Sequence, residues 1–247
     1  MRSIILCEGI DDVLILGYFL HKTSGWWFEP KARFAEKFDL PKDQHIELYS
    51  KNNNVAAIWA VGGKDSFESA FKFISTINRS HPEEGVNKVF IFKDRDTEDI
   101  DKCLMDLKDK LDKYDIEISE LRNGQENKYV YEVDDEQYNL DIIPIIIPFE
   151  RAGALETVLM QGIEESGVEE SYIVKCADEY IEEILASGRL HNYLKHEREQ
   201  LKARLSAVIA ITNPDRSTAE FNKVLMSWEW ENVPAVKRHF EAITRYL

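Results

Sequence analysis

The residues best suited to chemistry in this chain are acids at the ends of apolar runs. Ser3 to Cys7 is a short apolar run that ends at Glu8-Gly9, with Asp11 and Asp12 close behind. A second run, Lys88 to Phe92, leads into Lys93-Asp94-Arg95-Asp96. If each run is a strand, Glu8 stands at one strand tip. Asp94 and Asp96, at i and i+2, share a face as long as the second strand continues. Asp12 lies four residues beyond Glu8 and can converge on it once a helix begins. Four carboxylates from two strand tips would make an oxygen-rich site for Mg2+ or Mn2+, hard cations that carboxylates and water bind. Acids gathered this closely would repel one another, which favours taking up a cation. Asp11 reads instead as a helix cap. No Cys or His spacing supports zinc, and neither a Gly-x-Ser-x-Gly elbow nor a Cys/His pairing supports nucleophilic hydrolysis.

The elements that must hold these acids can be read from periodicity. The first run, its turn and the apolar stretch from Val13 to Leu20 form a strand–turn–helix unit. Thr23 to Asn54 has no clean period and reads as an excursion with at most one hairpin or short helix. Within it, Trp26, Trp27 and Phe28 could stack bases, although an aromatic cluster in an insertion is expected to pack onto the domain. Val55 to Val61 is a strand closed by Gly62-Gly63-Lys64, and a helix follows to Arg79. The amides of Gly62 and Gly63, with Lys64, either approach a phosphate at a helix start or form a tight turn that needs positive φ. The Lys88 strand, a charged helix from Thr97 to Lys113, extended segments with a turn at Asn123-Gly124, and a strand from Leu140 to Pro148 complete the series. Strands alternating with helices imply an α/β fold with a mostly parallel central sheet. After Pro148 the pattern turns helical: Ala154–Gln161, Tyr172–Ala186, Tyr193–Ile211, Ala219–Ser227 and Pro234–Tyr246. The expected organisation is therefore an α/β core over residues 1–150, with an insertion at about 23–54, and a mainly helical part over 151–247.

Ile4-Ile5-Leu6-Cys7-Glu8-Gly9-Ile10-Asp11-Asp12 and Val89-Phe90-Ile91-Phe92-Lys93-Asp94-Arg95-Asp96 together resemble the two signatures of the TOPRIM domain. Topoisomerases, bacterial primases and OLD-family nucleases share that domain. The resemblance covers residues 1–150 and implies a Rossmann-like TOPRIM fold. No primase zinc module, topoisomerase tyrosine domain or Walker A pattern accompanies it, so the chain looks most like a stand-alone TOPRIM protein of the OLD-nuclease kind. The resemblance implies roles residue by residue. Glu8 would be a metal ligand or general acid/base, Asp12 a further ligand, and Asp94 and Asp96 the residues that hold Mg2+. Nuclease-type members carry a later acid, and Glu156 is either that acid or an ordinary first-turn helix carboxylate. They also use a basic residue further on, which no motif fixes here. The implied activity is Mg2+- or Mn2+-dependent phosphodiester cleavage of DNA or RNA. Two cations about 4 Å apart could activate water and stabilise the leaving oxygen. A separate ATPase partner in defence or repair is implied by kinship alone. The alternatives are a regulatory TOPRIM module without turnover and a phosphoesterase acting on small nucleotides.

Composition sets the outer limits. With 31 Lys+Arg against 46 Asp+Glu the formal charge is −15, which on its face argues against nucleic acid. The charge is polarised, however. Residues 95–140 carry 15 acids and 7 bases, whereas residues 187–247 carry 10 bases and 7 acids. Arg189, Lys195, Arg198, Lys202 and Arg204 either line a solvated helix face or follow a phosphate backbone. The 44% hydrophobic content excludes a disordered chain, and apolar runs such as Ile142 to Phe149 fall short of the about 20 residues a membrane helix needs. Three scattered cysteines and an N-terminal run interrupted by Glu8 point to reduced thiols in a cytoplasmic protein. Nothing in the pattern opposes a homo-oligomer.

Overall fold

The structure, a computed structural model, describes residues 1–63, 66–190, 192–214, 225 and 228–247. The chain divides into two compact units, one of Met1–Ile146 with Glu241–Leu247, the other of Ile147–Phe240.

The first unit is built on seven strands: β1 (Arg2–Cys7), β2 (Trp27–Phe28), β3 (His45–Lys51), β4 (Asn54–Ala60), β5 (Lys88–Asp94), β6 (Asn127–Val133) and β7 (Glu136–Ile147). They form one sheet in the order β2-β3-β4-β1-β5-β7-β6. The chain is α/β, as its alternation predicts, but the sheet is mixed rather than mostly parallel. β1 runs parallel to both β4 and β5, in the registers Leu6↔Trp59 and Leu6↔Ile91. The β2–β3, β3–β4 and β6–β7 pairs are antiparallel. Two hairpins account for the difference. Asn52, at φ 55°, and the Asp134-Asp135 pair, at φ 52° and 67°, take the left-handed turn conformations that two-residue hairpin loops require.

Three helices cover this sheet: α1 (Ile10–Ser24), α2 (Phe67–Ser80) and α3 (Ile100–Asp112). Alternation along the strands sorts the core into two faces. Ile4 and Leu6 of β1, Trp59 of β4 and Val89 and Ile91 of β5 share a cluster with Phe67, Phe71 and Ile74 of α2 and Leu104, Leu107 and Leu111 of α3. Ile5, Cys7, Ile58 and Phe90 alternate to the other face and are equally buried. There α1 meets β3 and β4, burying Val13, Leu16, Gly17 and Leu20 at helical spacing. It stops at Gly25, whose left-handed backbone (φ 66°) lets its N–H return to the Leu20 carbonyl.

The second unit contains α4 (Leu155–Ser166), α5 (Val168–Ala186), α6 (Glu197–Thr212) and the start of α7 (Pro234–Tyr246). Helices α4, α5 and α6 pack on one another through Val158, Leu159 and Ile163, Val174 and Ile181, and Val208 and Ile209. Helix α6 begins four residues later than its periodicity predicts. The Glu199 carboxylate accepts the N–H groups of Lys195 (2.8 Å) and His196 (3.4 Å), fixing the start of the helix there. The predicted helix Ala219–Ser227 falls almost wholly outside the described residues. Among the described residues no helix is long and apolar enough to cross a membrane.

Candidate functional site

Glu8 follows directly on β1, and its backbone is held from the side by the turn after β4. Val61 N–H donates to the Cys7 carbonyl at 2.9 Å, and Gly62 and Gly63 both donate to the Glu8 carbonyl, at 3.1 and 3.0 Å. At φ 86° and 118° the two glycines adopt backbone that other residues rarely take. These bonds decide between the two readings of Gly62-Gly63. The amides proposed to cradle a phosphate are spent on a main-chain carbonyl, so the pair is a tight turn that positions an acid. Lys64, the third member of that expected phosphate site, lies outside the described residues.

Three acids cluster near this point. Glu8, Asp12 and Asp94 retain only 3%, 5% and 2% of their surface exposed. Two come from the carboxyl ends of adjacent parallel strands, the third from the first turn of α1. The Cys7 thiol records their proximity. Burial, then the charges of Asp12, Glu8 and Asp94 in that order, push its pKa well above the ordinary thiol value, with Glu47 adding to the effect. The capping role expected of Asp11 falls to Asp12, which is also the buried one of the two. Asp12 is the cap, its Oδ2 accepting the Gly9 N–H at 2.8 Å, while Asp11 is half-buried. With Gly9 as N-cap, Asp12 occupies the third helical position, from which a carboxylate reaches back to that N–H.

Asp96 is arranged differently from its sequence reading. β5 ends at Asp94 and Asp96 adopts left-handed backbone at φ 54°, so strand alternation does not place the two carboxylates on one face. Arg95 holds the intervening loop, donating to the Glu98 carbonyl at 2.6 Å and to Asp99 Oδ1 at 3.3 Å. Sequence reasoning passed over Lys93. It is 6% exposed, and its ammonium donates to the Asp94 carbonyl at 3.1 Å. A lysine between the end of an apolar run and a candidate acid is the available signal.

In the second unit, Glu156 lies in the first turn of α4 and is 8% exposed. Its Oε1 stands 3.7 Å from Lys202 Nζ, and its Oε2 is buried without a hydrogen-bond partner. The basic stretch is only partly available to a phosphate backbone. Arg204 is committed to Asp178 (3.4 Å) and Glu182, and Lys202 faces Glu156, while Arg189, Lys195, Arg198 and Lys202 all have exposed surface. Among the described residues no three His, Cys, Asp or Glu side chains are gathered as a ready ligand set for a metal ion. The acids share a neighbourhood, not a preformed coordination shell.

Comparison with known proteins places this arrangement among molecules of similar architecture. A crystal structure of a hypothetical protein from Pyrococcus horikoshii OT3 superposes with a TM-score of 0.51 at 15% identity, covering 98% of this chain and all of that one. That likeness concerns the fold alone. No curated protein matches the sequence. A family model described as "protein of unknown function (DUF3226)" matches residues 2–243, and the chain belongs to that family.

Proposed function

We propose that this protein is a metal-dependent, phosphodiester-cleaving nuclease of TOPRIM type acting on DNA or RNA. The observation that carries the reading is the burial of Glu8, Asp12 and Asp94 around one negatively biased point at the carboxyl ends of β1 and β5. Open α/β sheets bind ligands at that edge. A bound cation would offset the mutual repulsion of three buried acids. The donors are all oxygen, which suits Mg2+ or Mn2+. Glu8, Asp94 and Asp96 would hold the metal, with Asp12 as a further ligand that the TOPRIM resemblance implies. When bound, a cation pair would supply an activated water and charge stabilisation for the leaving oxygen.

The chain's own contribution is positional. The Gly62-Gly63 turn fixes the Glu8 backbone, and Lys93 fixes the Asp94 carbonyl, so both acids stand on restrained main chain. Asp12 spends one oxygen on the Gly9 amide, which ties α1 to the strand tip. A TOPRIM-like binding module without turnover is the second reading, since among the described residues no three acid, histidine or cysteine side chains are gathered as a ligand set.

Incubation with plasmid, single-stranded DNA and tRNA separates the two. With Mg2+ or Mn2+, alone and with a candidate ATPase partner, cleavage is expected and should be lost in Asp94→Ala/Asp96→Ala. Titration of Mn2+ followed by electron paramagnetic resonance should show binding that the same variant loses. Metal binding without cleavage of any polymer would favour the module; neither binding nor cleavage would overturn the nuclease.

A further inference from the structure

The excursion between α1 and β3 was expected to pack its aromatic residues onto the domain, and it does so only in part. Trp26 is fully buried, but Trp27 is 65% and Phe28 55% exposed. Both sit in β2, the outermost strand at one edge of the sheet. Neither ring is loosely held. Trp27 meets the His21 imidazole edge-on with centroids 4.6 Å apart, and Phe28 meets Tyr49 at 5.7 Å. Two large rings, restrained at their edges and open to solvent, carry a cost in exposed apolar surface that a stacking ligand would remove.

The surrounding charge says what that ligand is. In a chain of formal charge −15, residues 21–33 hold Lys22, Lys31 and Arg33 against the single acid Glu29, a local balance of 3 − 1 = +2. All three bases are exposed. Lys51 is exposed as well, one residue beyond Ser50, the cross-strand partner of Trp27. Exposed flat rings in a stretch of net positive charge match a polyanion with unpaired aromatic bases, because stacking needs a base face that a duplex keeps inside.

We propose that Trp27 and Phe28, with the exposed bases of the same stretch, Lys22, Lys31 and Arg33, and Lys51 on the neighbouring strand, bind unpaired nucleotides, so that the polymer engaged is single-stranded. This rests on the nuclease reading for its link to turnover, but the binding itself can be tested apart from it. The measurement is fluorescence anisotropy of labelled oligo(dT), oligo(U) and the oligo(dT)·oligo(dA) duplex with the full chain in EDTA. Single strands should bind more tightly than the duplex. Trp27→Ala/Phe28→Ala should weaken single-strand binding at least about tenfold while leaving the circular dichroism spectrum unchanged, and Trp27→Tyr/Phe28→Tyr should restore most of it. Equal affinity for duplex and single strand, or unchanged affinity in the alanine variant, overturns the proposal even if cleavage is found. Loss of binding in that variant alongside no cleavage of any polymer supports the stacking surface and removes the nuclease.

Discussion

His239 is wholly enclosed yet satisfied at both ring nitrogens. Its Nδ1 lies 2.6 Å from the Ala235 carbonyl and must donate, so Nε2 is the acceptor for the Phe149 N–H at 3.2 Å. That assigns the neutral tautomer from its partners. Burial lowers its pKa below the ordinary histidine value and Arg238 adds to this, while the Ala235 carbonyl and nearby Glu150 pull the other way. A folded-state pKa below that of the unfolded chain means stability that is present above about pH 6.5 and lost as pH falls below it. Thermal unfolding followed in steps from pH 7 to pH 5 should show a falling midpoint. His239→Gln keeps an acceptor for Phe149 without the titration and should flatten the curve; parallel slopes would sink this account. At the same scale, Glu8 was legible because it directly follows an apolar run, and Asp94 because it comes one lysine after such a run. The capping role of Asp12 was not, because which of two adjacent acids reaches back to the N-cap amide depends on where the helix starts.

Among elements, a close junction lies between α1 and β3. A Cβ built on Gly17 would stand 2.0 Å from Tyr49 Oη and 2.8 Å from its Cζ, and that hydroxyl is already donated to Glu47 at 2.9 Å. Gly17→Ala should therefore destabilise the protein by about 1–3 kcal/mol, through overpacking. In a Tyr49→Phe background the closest clash disappears, so the same substitution should cost less; urea denaturation of the four proteins measures the coupling. Additive effects would mean that α1 moves aside instead. Strands β1, β4, β5 and β7 and helices α2, α3 and α7 were readable because their apolar spacing is strong. β3 was not, because His45–Lys51 is only half-buried and mixes polar with apolar residues, so nothing marks it as a strand until β4 pairs with it. The missed hairpins are what turned an expected parallel sheet into a mixed one.

At the scale of the molecule, the charge of −15 sets how any polyanion is met. Much of the acidity is local, in residues 95–140 and around Cys7, and the exposed bases of the α1–β3 excursion and of residues 189–202 leave regions of opposite sign. If a cation offsets the buried acids, oligonucleotide affinity at constant ionic strength should rise when Mg2+ replaces EDTA. Asp94→Asn should show no such rise in anisotropy titrations, and an equal rise in both proteins would assign it to general screening. The domain-level alternation was legible across this length. The availability of the basic residues was not, since Arg204 is claimed by Asp178 and Glu182 from a neighbouring helix far away in sequence.

The doubly used carbonyl of Glu8 has a dynamic consequence. Solvent can exchange the amide protons of Gly62 and Gly63 only when that one oxygen lets go of them. Equal protection factors for the two amides would mean that they open together, and would measure how often the tip of the first strand comes loose.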